Sequence, residues 1–478
     1  VTTLRDILNR ARWASENLHD LELLVVHRGA PGDQRAIAGS RVVNVLAGGI
    51  EVAADEAEGE SMFVPYHRFL AIRGAQGVTL WSKAEGVNPA AQSATATASA
   101  ETQTPAAATP GLRVIETGVE LLPTFSVLLH TARDREGLTI DGSAGEGGGQ
   151  ILRTSLSLSL LTGTPFTLER IRAGRKKPGL MRQHLTCVKA AAAISSAEVE
   201  GATLGSTRLV FRPRSVEGGE YELDIGSAGS AALVLQTLAL PLGLAARPSR
   251  VCVRGGTHAR WAPIYPFLEA AWLPLMQRAG AELALTLHKT GFYPAGGGEV
   301  VMTTSPSGAL RPLTLEASRQ PLDVKLEAVV AGIPEGIARR ELSAAAELLQ
   351  GTPLALHSAS VRSPGPGNAM WLVAHAGEAQ AATNVFSAIG EQGISAEQVA
   401  ASVVNAFITW RDTNTSVEEH LADQVMLPIA LAGEGSYTCS ALSLHARTNI
   451  EVIHAFTGLR LAAWQLGDSR FRVELTRT

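Results

Sequence analysis

The sequence predicts an α/β (α+β) protein: a body of repeated β-α units that carries a smaller inserted α/β lobe, and a separate small α+β domain at the N-terminus. Three observations predict it. The word GSAG occurs twice, at residues 142–145 and 226–229, each time after a strand-like run and before a long apolar, helix-like one. That shared context points to duplicated units rather than chance. Residues 323–416 hold their own strand-like and helix-like segments, as an inserted lobe would. An Ala-Thr-Ser-Pro stretch beginning at Ala84 sets the first 83 residues apart. It offers almost nothing to fill a core and fits an extended tether.

The elements follow in chain order. Residues 4–13 space Leu4, Ile7, Leu8 and Ala11 at helical intervals. Residues 21–26, 42–46, 69–72 and 78–82 read as strands, so the 1–83 domain is one helix packed on a small sheet. Segment 84–137 is linker and bridge; Val114, Ile115, Val119 and Leu121 would form a strand or two on either neighbour. The body is 138–478. It opens with a strand at 138–140 and a helix at 151–161, and the second copy has a strand at 221–225 and a helix at 231–242. In the lobe, 325–330 and 371–375 read as strands, 341–349 as a helix, and Ser363-Pro-Gly-Pro-Gly-Asn368 as a loop.

Composition excludes several classes of function. With 45% hydrophobic and 18% charged residues among 478, the chain can bury packed cores and is not wholly disordered. A net charge of −4 excludes a globally basic coat for nucleic acid, so such contact must come from a local patch. The three cysteines, Cys187, Cys252 and Cys439, are far apart and form no CxxC pair, which predicts reduced, buried thiols rather than a disulfide framework or structural zinc. No run reaches the roughly 18 apolar residues of a membrane span. A soluble, cytoplasmic protein is expected.

Three segments carry chemistry. Residues 138–153, LTIDGSAGEGGGQILR, run from a strand through glycines into a helix. Glycines let backbone N–H groups converge on an anion, and a helix N-terminus adds its dipole. The word has neither a P-loop ending nor dinucleotide-fold spacing. Glu146 would repel phosphate there unless a divalent cation lay between them; otherwise the segment is a tight turn with a solvated carboxylate. Residues 170–184 follow with six basic side chains, Arg170, Arg172, Arg175, Lys176, Lys177 and Arg182, and no acid. That patch suits polyphosphate or an RNA backbone, or is a solvated loop. The third segment, ALSLHARTNI at 441–450, alternates as a strand up to His445, with Thr448 or Asn449 as N-cap of a following helix. An imidazole there could be a nucleophile on phosphorus, a general base, a hydrogen-bond donor or a structural group.

These words, with IGSAGSA (225–231), GFYPAGGG (291–298) and EEHLADQ (418–424), stand in one order over about 340 residues and resemble the RNA 3′-terminal phosphate cyclase family. The resemblance implies three β-α repeats with an inserted lobe, and an ATP-dependent reaction in three steps. A histidine takes AMP from ATP, the AMP passes to an RNA 3′-phosphate, and the 2′-hydroxyl closes a 2′,3′-cyclic phosphate. It implies His445 as that histidine, Glu146 as ligand of Mg²⁺ or Mn²⁺, and Arg153, Arg172, Arg175, Gln183 and His184 around the triphosphate or RNA end. Pro263 and His420 would sandwich adenine, with Asp423 and Gln424 beside them; some relatives have tyrosine where His420 stands. Two other readings share the resemblance: a non-catalytic RNA-binding scaffold of ribosome assembly, against which His445, Glu146 and Arg153 argue, and an adenylyltransferase acting on another phosphorylated end. The oligomeric state stays open, a homodimer among the options.

The first domain carries LRDILNRARW (4–13), VVHRG (25–29), VPYHRFLAI (64–72) and Trp81, and resembles a small family thought to recognise cyclic-phosphate RNA ends, although Ala14 replaces that family's usual acid. Trp13, His27, Arg28, Tyr66, His67 and Arg68 would supply the stacking and cationic groups for a terminal nucleotide, unless Trp13 and Tyr66 are core aromatics.

Overall fold

The computed structural model describes residues 21–26, 34–46, 49–52, 62–65, 68–73, 79–82, 86–87, 120–121, 131–134, 137–145, 147–318 and 322–475. The chain separates into two compact units, Val1–Arg113 and Val114–Thr478.

In the first unit, Glu22–Val26 pairs antiparallel with Gln34–Ala38 on one side and Phe69–Arg73 on the other, and the sheet continues to Thr79–Ser82 and Gly86–Val87. A second sheet joins Val42–Leu46, Gly49–Val52 and Met62–Pro65. Leu23, Val25, Ile37, Ile50, Phe69 and Ile72 form its core, with Trp81 packed against it. In Glu22–Val26 the residues Leu23 and Val25 point inward and alternate with more exposed neighbours, as a half-buried strand requires. The pairing thus reaches Gly86–Val87, inside the stretch read as tether. The expected helix at 4–13 lies outside the described residues.

Three sheets of the second unit share one plan. Each has two parallel strands, the second strand antiparallel to a third, and that one antiparallel to the edge. The first sheet uses Gly137–Asp141, Phe166–Glu169, Leu209–Arg212 and Glu198–Glu200 in that spatial order; the second uses Glu220–Asp224, Ser249–Gly255, Gly298–Thr304 and Leu283–Lys289. The third uses Leu313–Thr314, Gly435–Cys439, Arg470–Leu475 and Ala462–Gly467. The bridging segment joins this unit: Glu120–Leu121 extends the third sheet and Thr131–Asp134 the first.

Helices fill the crossovers. In the first repeat they are α1 (Gly149–Thr162) and α2 (Arg182–Ser195). The second has α3 (Ala231–Gly243) and α4, a helix from Tyr265 to Arg278 interrupted by a π-turn at Leu268–Trp272. α1 is buried on most sides, with Ile151, Leu152, Leu156, Leu158 and Leu160 in the core and several polar residues buried beside them. The serines on it stay tolerable where they find partners: Ser157 donates to Thr237 O of α3 at 2.8 Å. Gly163 ends α1 in the left-handed region (φ 68°), where a side chain would be strained.

Between the first two strands of the third sheet the chain makes a lobe of four strands, ordered Leu354–Ser360, Asp323–Ala331, Gly367–His375, Asn384–Ile389, covered by α5 (Gly336–Leu348) and α6 (Ala396–Arg411). Its core, including Leu326, Leu342, Leu372, Val403 and Phe407, is separate from that of the repeats. The third repeat continues with α7 (Glu419–Gln424), α8 (Met426–Ala432) and α9 (Leu444–Thr457). All three cysteines are buried and unpaired with one another. Among the described residues no helix is long and apolar enough to cross a membrane.

Candidate functional site

The first turns of α1, α2 and α9 converge with α7. The sequence places glycines before α1: Gly148 is its N-cap and Gly149 its first residue, so no side chain caps the N–H groups there. A Cβ added at Gly149 would run into His184 Nε2 and come within 2.7 Å of Arg153 Nη1. Glycine is what allows those two side chains to close over the helix end. Gly145, at φ 59°, lies so close to the Thr448 hydroxyl of α9 that a side chain would collide with it.

α9 begins earlier than the alternation at 441–445 implies. Its N-cap is Ser443, whose Oγ accepts from Ala446 N at 3.1 Å. Thr448 and Asn449 are therefore buried helix residues and not caps, because Ser443 supplies the capping oxygen one turn upstream. His445 consequently sits in the first turn rather than in a strand. Its ring is exposed at the surface of the cleft yet crowded by protein. Loss of hydration and the positive charges of Arg153, His420 and Arg175 push its pKa down to about 4. The ring is uncharged at neutral pH.

Gln150, which the sequence reading did not single out, orients that ring. Its Nε2 donates to Asp423 Oδ2 at 3.1 Å, so its Oε1 faces His445 Nδ1 within hydrogen-bond reach. An amide oxygen only accepts, so Nδ1 carries the ring proton and Nε2 keeps its lone pair. Asp423 is half-buried, its buried Oδ1 has no hydrogen-bond partner among the described residues, and burial raises its pKa to about 7. Asn449 Nδ2 ties Asp423 O to α9 at 2.8 Å.

His420 is the reverse case: its side chain is 75% exposed, and Glu418 Oε2, 2.9 Å from Nδ1, raises its pKa and favours the imidazolium. Glu418, also unforeseen, caps α7 through His420 N and is fixed by Asn384 Oδ1 accepting from Glu418 N at 2.8 Å. Gln424 donates to His420 O at 2.9 Å and accepts from Gln236 of α3.

On α2, His184 Nδ1 accepts from Met181 N at 3.2 Å, and burial beside Arg153 and Arg172 pushes its pKa to about 3. Gln183 Oε1 accepts from Ser230 N at 2.8 Å, joining α2 to the second GSAG turn. The basic loop is held by its own side chains. Arg172, at φ 55°, donates to Lys177 O and Gly179 O at 2.8 and 3.1 Å, and Arg170 pairs with Asp141. Arg175 is exposed. Together these groups make a positive cleft around a neutral imidazole.

Pro263 lies just before Ile264, the N-cap of α4, and the π-turn of that helix contacts α7. Glu146, Trp13, His27, Arg28, Tyr66 and His67 lie outside the described residues, and Arg68 is exposed in the first unit. Among the described residues no group of three His, Cys, Asp or Glu side chains could hold a metal.

Fold and cleft define an α/β repeat protein with a cationic cleft that presents an uncharged histidine. The model of the family described as RNA 3′-terminal phosphate cyclase matches residues 144–463. An RNA 3′-terminal phosphate cyclase of Ralstonia nicotianae is 50% identical over 321 residues, 67% of this chain and 91% of that protein. Another, from Ectopseudomonas mendocina, is 46% identical over 72% of this chain and 99% of that protein. A solved structure, the enolpyruvyl transferase NikO from Streptomyces tendae, overlaps at TM-score 0.21 and 12% identity over 45% of this chain and 38% of its own, too slight a likeness to bear on the fold. The chain belongs to the RNA 3′-terminal phosphate cyclase family.

Proposed function

We propose that this enzyme, an RNA 3′-terminal phosphate cyclase by family, converts RNA 3′-phosphate ends to 2′,3′-cyclic phosphates using ATP and a covalent adenylate on His445 Nε2. The observation that carries this is the Gln150 bridge, which holds the ring proton on Nδ1 and leaves Nε2 the unprotonated nitrogen of a ring whose pKa lies near 4. Nε2 gives its lone pair to the α-phosphorus; the bond from that phosphorus to the bridging oxygen breaks, and pyrophosphate leaves with the pair. Nδ1–H remains on Gln150 Oε1, so positive charge arising on the ring is stabilised through Gln150 by Asp423. An RNA 3′-phosphate oxygen then attacks the same phosphorus and the P–N pair returns to Nε2. The RNA 2′-oxygen finally attacks its own terminal phosphorus, AMP departs, and the hydroxyl proton passes to solvent.

Arg153, Arg172, Arg175, Gln183 and His184 would bind and orient the phosphates, and fixed guanidinium groups counter the charge that builds in such steps. The exposed imidazolium of His420 would stack on adenine, with Pro263 opposite and Asp423 and Gln424 holding α7. Glu146 is the residue that would hold a divalent ion, Mg²⁺ or Mn²⁺. The first unit, with Trp13, His27, Arg28, Tyr66, His67 and Arg68, would bind RNA ends.

Incubation with [α-³²P]ATP should label the protein with an alkali-stable, acid-labile bond and then pass the label to RNA bearing a 3′-phosphate. His445→Ala should abolish both. A wild-type protein that takes no label would return the chain to a non-catalytic RNA-binding role. Deleting residues 1–83 should spare labelling and weaken RNA-end binding; unchanged RNA affinity would refute the role given to that unit.

A further inference from the structure

A crevice of about 420 Å³ lies between the second repeat and the lobe, and none of the His445 cluster lines it. Its walls include His258, Tyr265 and Glu269 from the repeat and Val329 and Trp371 from the lobe. His258 is only 3% exposed. Thr257 Oγ1 lies 2.9 Å from His258 Nδ1 and already accepts from Gly291 N at 3.0 Å. The hydroxyl's own proton has Nδ1 at 2.9 Å or Gly291 O at 3.5 Å to choose from, and the nearer acceptor wins. Nε2 therefore carries the ring proton, and burial, which lowers the pKa to about 4, keeps the ring neutral. Among the described residues no hydrogen bond reaches Nε2, so this donor remains available to a group bound in the crevice that His258 lines.

The acceptor side of the crevice is Glu269. It sits within the π-turn of α4, a distortion common at functional sites. Tyr265 donates to its Oε1 at 2.9 Å, and among the described residues Oε2 has no hydrogen bond. Trp371 adds a flat aromatic wall, packed 6.0 Å from the His258 ring. Three residues beyond His258, Trp261 is 88% exposed with the Arg260 guanidinium 4.7 Å from its ring, a surface on which a neighbouring base can stack.

We infer that this crevice binds an unpaired base of the RNA substrate upstream of its 3′ end, and that it favours guanine. Guanine presents a keto oxygen to the His258 N–H and its N1–H and amino group to the Glu269 carboxylate, and its ring stacks on Trp371. The volume admits a nucleoside. The inference rests on the proposed cyclase activity, which supplies the RNA.

The test measures affinity of the full chain for 3′-phosphorylated hexamers carrying guanine, inosine, adenine, cytosine or uracil at each upstream position in turn. Guanine should bind about tenfold tighter than adenine at one position, as expected for hydrogen bonds to a charged group. Inosine, lacking the amino group, should lose part of that preference. Glu269→Gln, which can still accept from Tyr265, should abolish it while His445 labelling with ATP stays at the wild-type level. No positional preference, or a preference that survives Glu269→Gln, overturns the inference. So does free guanosine matching the best hexamer, since the crevice would then serve a soluble nucleoside. Cyclisation is followed on the same hexamers: absent cyclisation refutes the proposed function, whereas cyclisation without base preference refutes this inference alone.

Discussion

Gln150 and His445, 295 residues apart in sequence, meet at the heart of the cleft, the amide oxygen of one against Nδ1 of the other. The same amide donates to Asp423 Oδ2 at 3.1 Å, so one side chain ties the first turn of α1 to α9 and α7 and fixes which ring nitrogen carries the proton. Outer-sphere groups that set a histidine tautomer typically matter to activity by one or two orders of magnitude.

Gln150→Ala should therefore slow self-adenylylation about 10- to 100-fold with ATP affinity little changed. Single-turnover labelling across ATP concentrations separates the two. A rise in the ATP requirement with an unchanged limiting rate would assign Gln150 to nucleotide binding.

The pH profile distinguishes Asp423 from His445 as the limiting group. His445, with its pKa near 4, is already neutral well below pH 7. Asp423 gains its proton as pH falls through about 7. Once protonated it can donate to Gln150, which then turns its NH₂ toward His445 Nδ1 and moves the ring proton to Nε2. The labelling rate should rise with pH through about 7 and level off above it, and Asp423→Asn should remove that step. A midpoint near 4 would place control on the histidine itself.

Gly149→Ala should weaken phosphate binding without unfolding the protein. The added methyl meets the ends of His184 and Arg153, which can swing away, rather than backbone. The KM for ATP or RNA should rise several-fold at near-constant Tm; an unaltered KM would show that the pair does not need to close over α1.

Leu156→Ala tests the packing on which the site stands. Leu156 is fully buried in α1, so its truncation should cost about 2–5 kcal/mol in denaturant unfolding of the second unit. A cost below about 1 kcal/mol would mean that α1 is not part of the cooperative core.

Much of this was legible in the sequence. The glycine words and leucine-rich helices marked the first two repeats, because a strand, a tight turn and a largely buried helix leave a local pattern. The basic loop stood out as six cationic side chains without an acid, whereas His445 was one of twelve histidines and was singled out by the family resemblance. Gln150 did not stand out, since its role depends on α7 and α9 arriving from the far end of the chain, although its i, i+3 spacing with Arg153 placed both near one face of α1. The start of α9 was missed because Leu442 and Leu444 alternate like a strand while Ser443 caps a helix. The third repeat was hidden in local pattern, since its first strand has only two residues, Leu313–Thr314, and the lobe follows it.

The most direct test is to adenylylate protein labelled with ¹⁵N in histidine and find the nitrogen bonded to phosphorus by ¹⁵N–³¹P coupling. The account predicts one phosphoramidate, at His445 Nε2, with Nδ1 still protonated. Phosphorus on Nδ1, or on any other residue, would contradict it.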